Sequence, residues 1–470
     1  MPVLNRLCLL LLVGAFFKVK AQTPALPLPS PDQLAWHETN FYLFLHFGPN
    51  TFTNLEWGHG TEAEDLFNPT ELDCDQWCRV AKAAGAKGLI ITAKHHDGFC
   101  LWPSRYSTHT VRESPWRNGQ GDVLRELSEA CRRHGLLFGV YLSPWDRNHP
   151  QYGTPEYNDV YASTLTELLT GYGPLFEVWW DGANGEGPNG KRQTYDFHRF
   201  EKLVAQHQPH AVIFSDIGPG CRWAGNEQGT VNETNWGGLD TAGFGRGATG
   251  PPADRLQTGQ PYGALWIPAE CDVSIRPGWF YHAEEDDKVK TPDQLWDIYL
   301  QSVGRGANLI LNVPPDRRGR IHPQDSAALV AFGQKKDAAF AKNLALGARL
   351  CGPRCGFGPK KIKTALTDGD WSTAEPFIGV DSTSRLWLDL GRKKTFNAVE
   401  LQEWIGEGQR IQSFRVEVEQ KDGWKEVARS TTVGHKKILT FPAVKARRVR
   451  ISVTAALAPP SLSEVKVFRF

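Results

Sequence analysis

The 470-residue sequence lacks an excess of charge and lacks the motifs of several large functional classes. Its 53 basic and 52 acidic side chains nearly cancel, so there is no basic field for nucleic acid or an anionic membrane surface. No G-x-S-x-G elbow and no phosphate loop is present, and no G-x-G-x-x-G follows the first predicted strand. After the N-terminus, no apolar segment is long enough to span a membrane. We therefore expect neither nucleic acid nor membrane insertion among its partners.

Signals for metal binding and for disulfides are weak. His95 and His96 are adjacent, and neighbouring residues of a strand point to opposite sides, so a shared ion would need a bend there. No H-x-H or H-E-x-x-H pattern occurs, and we expect no catalytic metal. Two cysteine pairs have a spacing of four that suits a local disulfide or a metal, but no zinc set is complete and neither is favoured: Cys74/Cys78 and Cys351/Cys355. The other cysteines after the leader are predicted to be small buried hydrophobes: Cys100, Cys131, Cys221 and Cys271.

The N-terminus has the pattern of an export signal. Arg6 supplies positive charge, residues 7–17 are apolar, and Val19-Lys20-Ala21 resembles a cleavage site. We therefore expect residues 1–21 to be a signal peptide and the protein to be periplasmic or secreted.

From residue 22 to about residue 350, short apolar runs take turns with segments of helical spacing. Runs that do not alternate are typical of parallel strands covered on both faces. Seven strands are predicted, at residues 41–48, 88–96, 136–143, 175–181, 211–216, 265–272 and 308–313. An eighth is expected within residues 218–241, which would complete a (β/α)8-like barrel; a doubly wound open sheet is the competing architecture.

Residues 351–470 follow a different pattern. Helical spacing disappears, and short alternating segments are separated by Gly, Asp and Lys, as in an antiparallel β-sandwich. The predicted strands are residues 385–390, 398–403, 413–419, 437–441, 447–453 and 464–470.

Polar side chains gather where the predicted barrel strands end. In a parallel barrel these carboxyl ends share one rim, where catalytic residues lie. The candidates are His46, His95, His96, Asp97, Tyr141, Trp145, Asp181, Glu270 and Asp272. With 17 tryptophans in the chain, the rim should form a polar pocket with aromatic walls, which suits the C–H faces of sugar rings.

Paired carboxyl groups fit the cleavage of a glycosidic bond, which needs one carboxylate near the anomeric carbon and one acid to protonate the leaving oxygen. Asp181 is the natural nucleophile because it ends the run LFEVWWD directly before glycines. Two residues could be the acid: Glu227 in the Gly-rich segment RWAGNEQG, and Glu270 in WIPAECD.

Several motifs of residues 35–345 together resemble the α-L-fucosidases of glycoside hydrolase family 29. They are LHFGPNTF, TAKHHDGFCLWPS, GVYLSPWDRN, EVWWDGANGEG, WIPAECDVSIRPGWFYH and SVGRGANLILNVPPDRRGRI. The forms WWDGANGEG and ECDVSIRPGWFYH are similar to the branch selective for α-1,3/1,4-linked fucose. The resemblance implies a barrel followed by a β-sandwich, and retaining hydrolysis of terminal fucose with Asp181 as nucleophile and no cofactor.

The resemblance also assigns the remaining site residues. Glu227 matches the acid/base, with Glu270 as second choice; otherwise Glu270 would contact the substrate near the leaving sugar. Trp279 should press on the fucose methyl or on the next sugar, while Glu56 and Trp145 are of second rank. The residues expected to bind the fucose ring are His46, Trp57, His95, His96 and Tyr141.

The C-terminal region resembles discoidin-like carbohydrate-binding modules, although bracing of the barrel is favoured over sugar binding. Its tryptophans are expected to be mostly core: Trp371, Trp387, Trp404 and Trp424. Two other functions stay open. One is a catalytically inactive fucose-binding protein, and the other is a barrel glycosidase for another sugar such as galactose, which would need a polar wall where fucose needs an apolar one.

Overall fold

The computed structural model describes residues 25–351, 366–372, 375–376 and 385–470. The predicted leader and Cys355 therefore lie outside the described residues. The N-terminal part is a closed barrel of eight parallel strands in the order β1-β10-β9-β6-β5-β4-β3-β2. These strands are β1 Phe41–Leu45, β2 Gly88–Lys94, β3 Leu137–Leu142, β4 Glu177–Trp179, β5 Val212–Ser215, β6 Cys221–Trp223, β9 Ala269–Ser274 and β10 Asn308–Asn312. The predicted barrel is confirmed, and the expected eighth strand is β6.

The helices cover the outside of the barrel, and capping residues define their ends. In α3, Asp73 accepts the Gln76 N–H at 2.8 Å, and Gly85 ends the helix with φ 76°. The helices are α1 Pro31–His37, α2 Pro49–Thr53, α3 Cys74–Ala84, α4 Val123–His134, α5 Tyr157–Gly171, α6 Phe197–His207, α7 Ala253–Thr258, α8 Pro292–Gln301 and α9 Pro323–Phe340.

The strand predicted at residues 265–272 is wrong in its bounds. Leu265–Trp266 forms β8, which pairs with β7 (Gly238–Leu239) in a separate two-stranded sheet. The barrel strand β9 begins only at Ala269 and runs on to Ser274. Pro268 lies between the two and donates no ladder hydrogen bond, which accounts for the break.

The C-terminal strands form an antiparallel sheet in the order β12-β17-β13-β16-β14-β15, with β11 paired to β13. They are β11 Arg349–Cys351, β12 Glu375–Pro376, β13 Arg385–Glu403, β14 Ile411–Gln420, β15 Gly423–Thr431, β16 Lys437–Ala456 and β17 Ser461–Phe468. Strands β13 and β16 each join two predicted segments, because their pairing continues through a register shift between Asp389 and Lys394. The two long strands are thus paired with each other along most of their length.

The core of the C-terminal sandwich is aliphatic, with Phe396 and Phe414 among its leucines, isoleucines and valines. The expectation that its tryptophans are mostly core is wrong, since all four are only partly buried: Trp371, Trp387, Trp404 and Trp424. The cysteines described with their side chains are buried free thiols, as expected for Cys100, Cys131, Cys221 and Cys271; the other two are Cys74 and Cys78.

Candidate active site

Asp181 lies two residues beyond the end of β4, at the rim of the barrel. Its Oδ1 accepts the Ala183 N–H at 2.6 Å, and its Oδ2 accepts the Tyr141 hydroxyl at 3.2 Å. The side chain remains 27% exposed, so the carboxylate is fixed in direction yet open to a reacting group. Gly182 is required next to it, because a Cβ there would collide with the carboxylate of Asp216.

His46 follows β1 and is held in one tautomer by Asn312 at the end of β10. Asn312 Nδ2 donates to the Trp279 carbonyl at 2.7 Å, so its Oδ1 is the atom that faces His46 Nδ1 at 2.9 Å. Nδ1 therefore carries the proton and Nε2 keeps a lone pair. Burial lowers the pKa of His46 to about 4, which keeps the ring neutral.

His95 and His96 follow β2, which ends at Lys94. Their rings lie 4.1 Å apart and do not point to opposite sides; that expectation is wrong because both residues lie past the strand. Ser143 donates its hydroxyl to the Trp145 carbonyl, so its oxygen accepts from His96 Nδ1 at 2.8 Å. His96 Nε2 then offers a lone pair 3.8 Å from Asp181 Oδ2.

Burial also decides the charge of this histidine pair. It lowers the pKa of His96 to about 4 and that of His95 well below its ordinary value. Two neutral rings beside Asp181 can accept or donate hydrogen bonds to sugar hydroxyls without carrying charge.

Glu227 lies on the loop after β6, and its side chain is exposed. Partial burial raises its pKa, the Trp279 indole N–H at 3.4 Å from its Oε2 lowers it, and the negative charges of Asp181 and Glu56 raise it further. The net shift is upward. A carboxyl group that feels the charge of Asp181 and holds its proton to higher pH has the property required of a general acid.

Glu270 does not end its strand, contrary to the prediction. It is the second residue of β9, is 0% exposed, and accepts the Trp179 indole N–H at 2.9 Å and the Tyr42 hydroxyl. Asp272, two residues on, is also buried and accepts the Trp223 indole N–H. A carboxyl group enclosed in this way cannot reach a leaving oxygen or a second sugar, so the geometry favours Glu227 as the acid and argues against substrate contact by Glu270.

Tryptophans form the walls around Asp181. Trp57 is 58% exposed, and its ring meets the edges of His96 and Trp145 at 6.2 and 5.8 Å. Trp279 leans on the His46 ring at 5.1 Å. The structure thus brings these predicted residues together at one end of the barrel.

The sequence matches the profile of the family described as alpha-L-fucosidase over residues 32–335 and that of the F5/8 type C domain over residues 358–464. It is 44% identical to Alpha-L-fucosidase 1 of Arabidopsis thaliana, over 95% of this chain and 88% of that protein. The chain belongs to the α-L-fucosidases of glycoside hydrolase family 29.

Solved structures of the α-L-fucosidase family share the whole fold. A crystal structure from Bacteroides thetaiotaomicron, titled as a putative α-L-fucosidase, aligns with a TM-score of 0.85 at 37% identity, over 96% of this chain and 99% of that one. A family 29 fucosidase of Ruminococcus gnavus, in complex with fucose, aligns with a TM-score of 0.83 at 30% identity over 96% of both chains. This α-L-fucosidase family member is therefore an enzyme of the glycoside hydrolase class. No helix in the described part of the chain has the length and apolar character to cross a membrane.

Two residues of this fucosidase site were missed in the sequence. Asn312 is fully buried and joins His46 to the Trp279 backbone, and Asp216 lies against Gly182 beside Asp181. Burial and the charge of Asp181 raise the pKa of Asp216 to about 6. Both are polar residues at the carboxyl ends of predicted strands, so the rule that selected Asp181 could have found them.

Glu56 has a larger part in the site than its second rank suggested. Its Oε2 accepts the Trp279 N–H at 2.8 Å, and its Oε1 pairs with His282 Nε2 at 2.6 Å, which raises the pKa of His282. Glu56 thus fixes the segment that carries the Trp279 wall.

Proposed function

We propose that this enzyme is an exo-acting, retaining α-L-fucosidase that removes terminal α-1,3- or α-1,4-linked fucose from oligosaccharides or glycoconjugates. The observation that carries the proposal is the Asp181 carboxylate, aimed by Tyr141 and Ala183 and open on one side, with its charge felt by Glu227. One fixed carboxylate and one proton-holding carboxyl are the two groups that retaining hydrolysis requires.

In the first step Asp181 attacks the anomeric carbon of fucose. The bond from that carbon to the leaving oxygen breaks, and the oxygen takes the proton of Glu227. A covalent fucosyl–Asp181 ester and a Glu227 carboxylate result.

In the second step the Glu227 carboxylate takes a proton from water, and the water oxygen attacks the anomeric carbon. The ester bond to Asp181 breaks and fucose leaves with its original configuration. Asp181 is again ionised and Glu227 again protonated, so the cycle needs no cofactor.

The neutral histidines and the tryptophan walls fit the sugar. The free Nε2 atoms of His46 and His96 accept hydrogen bonds from ring hydroxyls, and Trp279 offers an apolar face to the fucose methyl. His46, His95 and Tyr141 are each at most 7% exposed, which closes the inner end of the site and supports removal of a terminal residue only.

The linkage preference and the location are supported by sequence alone. WWDGANGEG and ECDVSIRPGWFYH resemble the linkage-selective branch, and residues 1–21 have the pattern of an export signal. We accordingly place the enzyme in the periplasm or outside the cell, acting on fucosylated glycans.

Azide rescue tests the two carboxyl assignments. Glu227→Ala should hydrolyse an aryl fucoside slowly, and azide should accelerate it by intercepting the ester, giving fucosyl azide of the substrate's own configuration. In Asp181→Ala, azide should instead replace the nucleophile and give the opposite anomer.

Glu270→Ala is the matched control, because it removes the other candidate acid. Rescue of Glu270→Ala but not of Glu227→Ala would overturn the acid assignment, and retained configuration from Asp181→Ala would overturn the nucleophile.

A further inference from the structure

Two hydrogen bonds fix the part of the loop that carries Glu227. Asn226 Nδ2 donates to the Thr230 carbonyl at 3.0 Å, and the Gly229 N–H donates to the Asp272 carbonyl at 3.0 Å. These bonds shape the turn around Glu227. The chain that follows, from Val231 to Gly237, is held from two sides, by the barrel and by the C-terminal sandwich.

The C-terminal sandwich holds that second half of the loop. The Gln409 side chain bonds the backbone at two points: Nε2 donates to the Asn235 carbonyl at 2.8 Å, and Oε1 accepts the Gly237 N–H at 2.9 Å. Lys437 Nζ donates to the Glu233 carbonyl at 2.6 Å, and the Ser430 hydroxyl donates to Glu233 Oε1 at 2.8 Å. Charged and amide donors to backbone acceptors are among the stronger orienting hydrogen bonds in proteins.

Thr432 adds a further contact, and its backbone is strained. Its Oγ1 accepts the Asn235 N–H at 3.1 Å, and its φ is 32°, in a region that β-branched residues rarely adopt. Such strain persists only where the surrounding structure imposes it. The sandwich therefore places this hydroxyl against the loop at a cost in its own stability.

The barrel also contacts this stretch, from the opposite side. Arg222 Nη2 donates to the Asn235 side chain at 3.2 Å and to the Trp236 carbonyl at 3.1 Å, and the Trp236 N–H donates to the Thr258 carbonyl at 2.8 Å. Val231 N–H donates to the Gln301 carbonyl at 3.2 Å, and Arg305 Nη1 donates to the Val231 carbonyl at 2.6 Å. Beside them lies a cavity of about 300 Å³, lined by Glu233, Arg305 and Lys437 among others. The part of the loop at Glu233 therefore has room to shift if its contacts with the sandwich are removed.

We propose that the C-terminal sandwich positions the catalytic acid/base, through a clamp formed by Gln409, Ser430, Thr432 and Lys437. This inference rests on the proposed role of Glu227. The clamp residues touch no substrate; they act by fixing the backbone that leads from Glu227 to the wall of the barrel, and they make the sandwich part of the catalytic apparatus.

Leaving-group dependence separates this role from simple bracing. Departure of 4-nitrophenolate needs little protonation, whereas departure of a sugar alcohol depends on the acid. A misplacement of about 1 Å can cost about 10²-fold in rate, so Lys437→Met should lower kcat/KM for an unactivated fucosyl disaccharide by about 10²-fold. The value for 4-nitrophenyl fucoside should stay within about twofold, and the basic limb of the pH profile should shift.

Lys436→Met is the matched control, since Lys436 also joins sandwich to barrel but donates to Asn40 before β1, at 2.7 Å. It should leave both substrates unaffected. Thr432→Val removes one hydroxyl and keeps the shape of the side chain, and it tests the same role if Lys437→Met does not fold. It should also lower kcat/KM for the disaccharide more than kcat/KM for 4-nitrophenyl fucoside.

The outcomes distinguish this inference from the proposed function. If Glu227→Ala shows azide rescue while Lys437→Met and Thr432→Val slow both substrates equally, or neither, the positioning role is overturned and the acid assignment stands. If Glu227→Ala shows no rescue, the acid assignment fails and the clamp loses its stated purpose.

Discussion

The barrel contains two pairs of carboxyl groups in very different surroundings. At the rim, Asp181 is 27% exposed and Glu227 lies on an exposed loop. In the interior, Glu177 and Glu270 are both 0% exposed. The two pairs therefore differ in accessibility: the rim pair is open to substrate, whereas the inner pair is buried away from it.

Aromatic donors bond three of the four carboxylate oxygens of the inner pair, and we expect a proton between the two carboxyls to bond the fourth. Trp36 donates to Glu177 Oε2 at 2.8 Å, and Trp179 and Tyr42 donate to the two oxygens of Glu270. Among the four carboxylate oxygens, Glu177 Oε1 accepts no hydrogen bond within the described residues, so we expect a proton on one of the two carboxyls to be shared with the other. Burial raises the pKa of Glu177 to about 7 and, with the charge of Glu177, that of Glu270 well above its ordinary value.

Cys221 Sγ lies within 4.8 Å of oxygens of both glutamates, which makes the group a conceivable metal site. Three of the four carboxylate oxygens already accept from indole or phenol groups, however, which favours a hydrogen-bonded cluster. Trp179 links the two pairs, since its ring packs 4.9 Å from Tyr141, the residue that orients Asp181. The carboxyl groups that we propose for catalysis are thus those whose donors leave one side open.

The largest expected effect is at the rim. Asp181→Ala should lower kcat by about 10⁴-fold or more, the scale seen when a catalytic nucleophile or its partner is removed. Because the histidines and tryptophans stay in place, fucose binding measured by calorimetry should persist. Near-normal turnover in this variant would remove Asp181 from the mechanism.

The inner pair should respond in stability instead. Glu270→Ala leaves the Trp179 N–H and the Tyr42 hydroxyl unpaired, at about 1–3 kcal/mol each, so we expect a loss of about 4 kcal/mol of unfolding free energy, measured by urea denaturation. Glu270→Gln, which keeps acceptor and shape, should lose less. A drop in activity with unchanged stability would show that Glu270 has a role at the rim after all.

The barrel was predictable from sequence because its strands are buried on both faces and so appear as apolar runs. Asp181 was predictable for a related reason: in LFEVWWDGANG a buried strand delivers one acid before glycines. Strand β6 has only three residues, which is too short for a pattern, and it was expected only by counting to eight.

The errors have identifiable physical causes. Glu270 was placed at the rim because LWIPAECD was taken as one strand, although it contains the end of a hairpin, Pro268 and the start of β9. The clamp was not predictable, because Gln409 and Asn235 are 174 positions apart and nothing local marks either as a partner of the other.

The smallest predicted effect concerns the shared proton and its dependence on pH. The folded protein keeps a proton on Glu177 up to a pKa of about 7, whereas the ordinary value is 4.5. The unfolded chain releases that proton first, and the raised pKa of Glu270 causes a further fall at higher pH. The contribution of Glu177 to the free energy of unfolding should therefore fall as pH rises from 4.5 to about 7. At about 1.4 kcal/mol per pKa unit, the loss is about 3 kcal/mol.

Glu177→Gln should remove this loss, because the amide N–H can donate to Glu270 where the shared proton did, without titrating. The variant should gain stability over the natural protein above pH 7 and match it most closely near pH 4.5. Urea denaturation at a series of pH values measures this difference. A constant difference between Glu177→Gln and the natural protein at every pH would mean that the inner pair holds no shared proton.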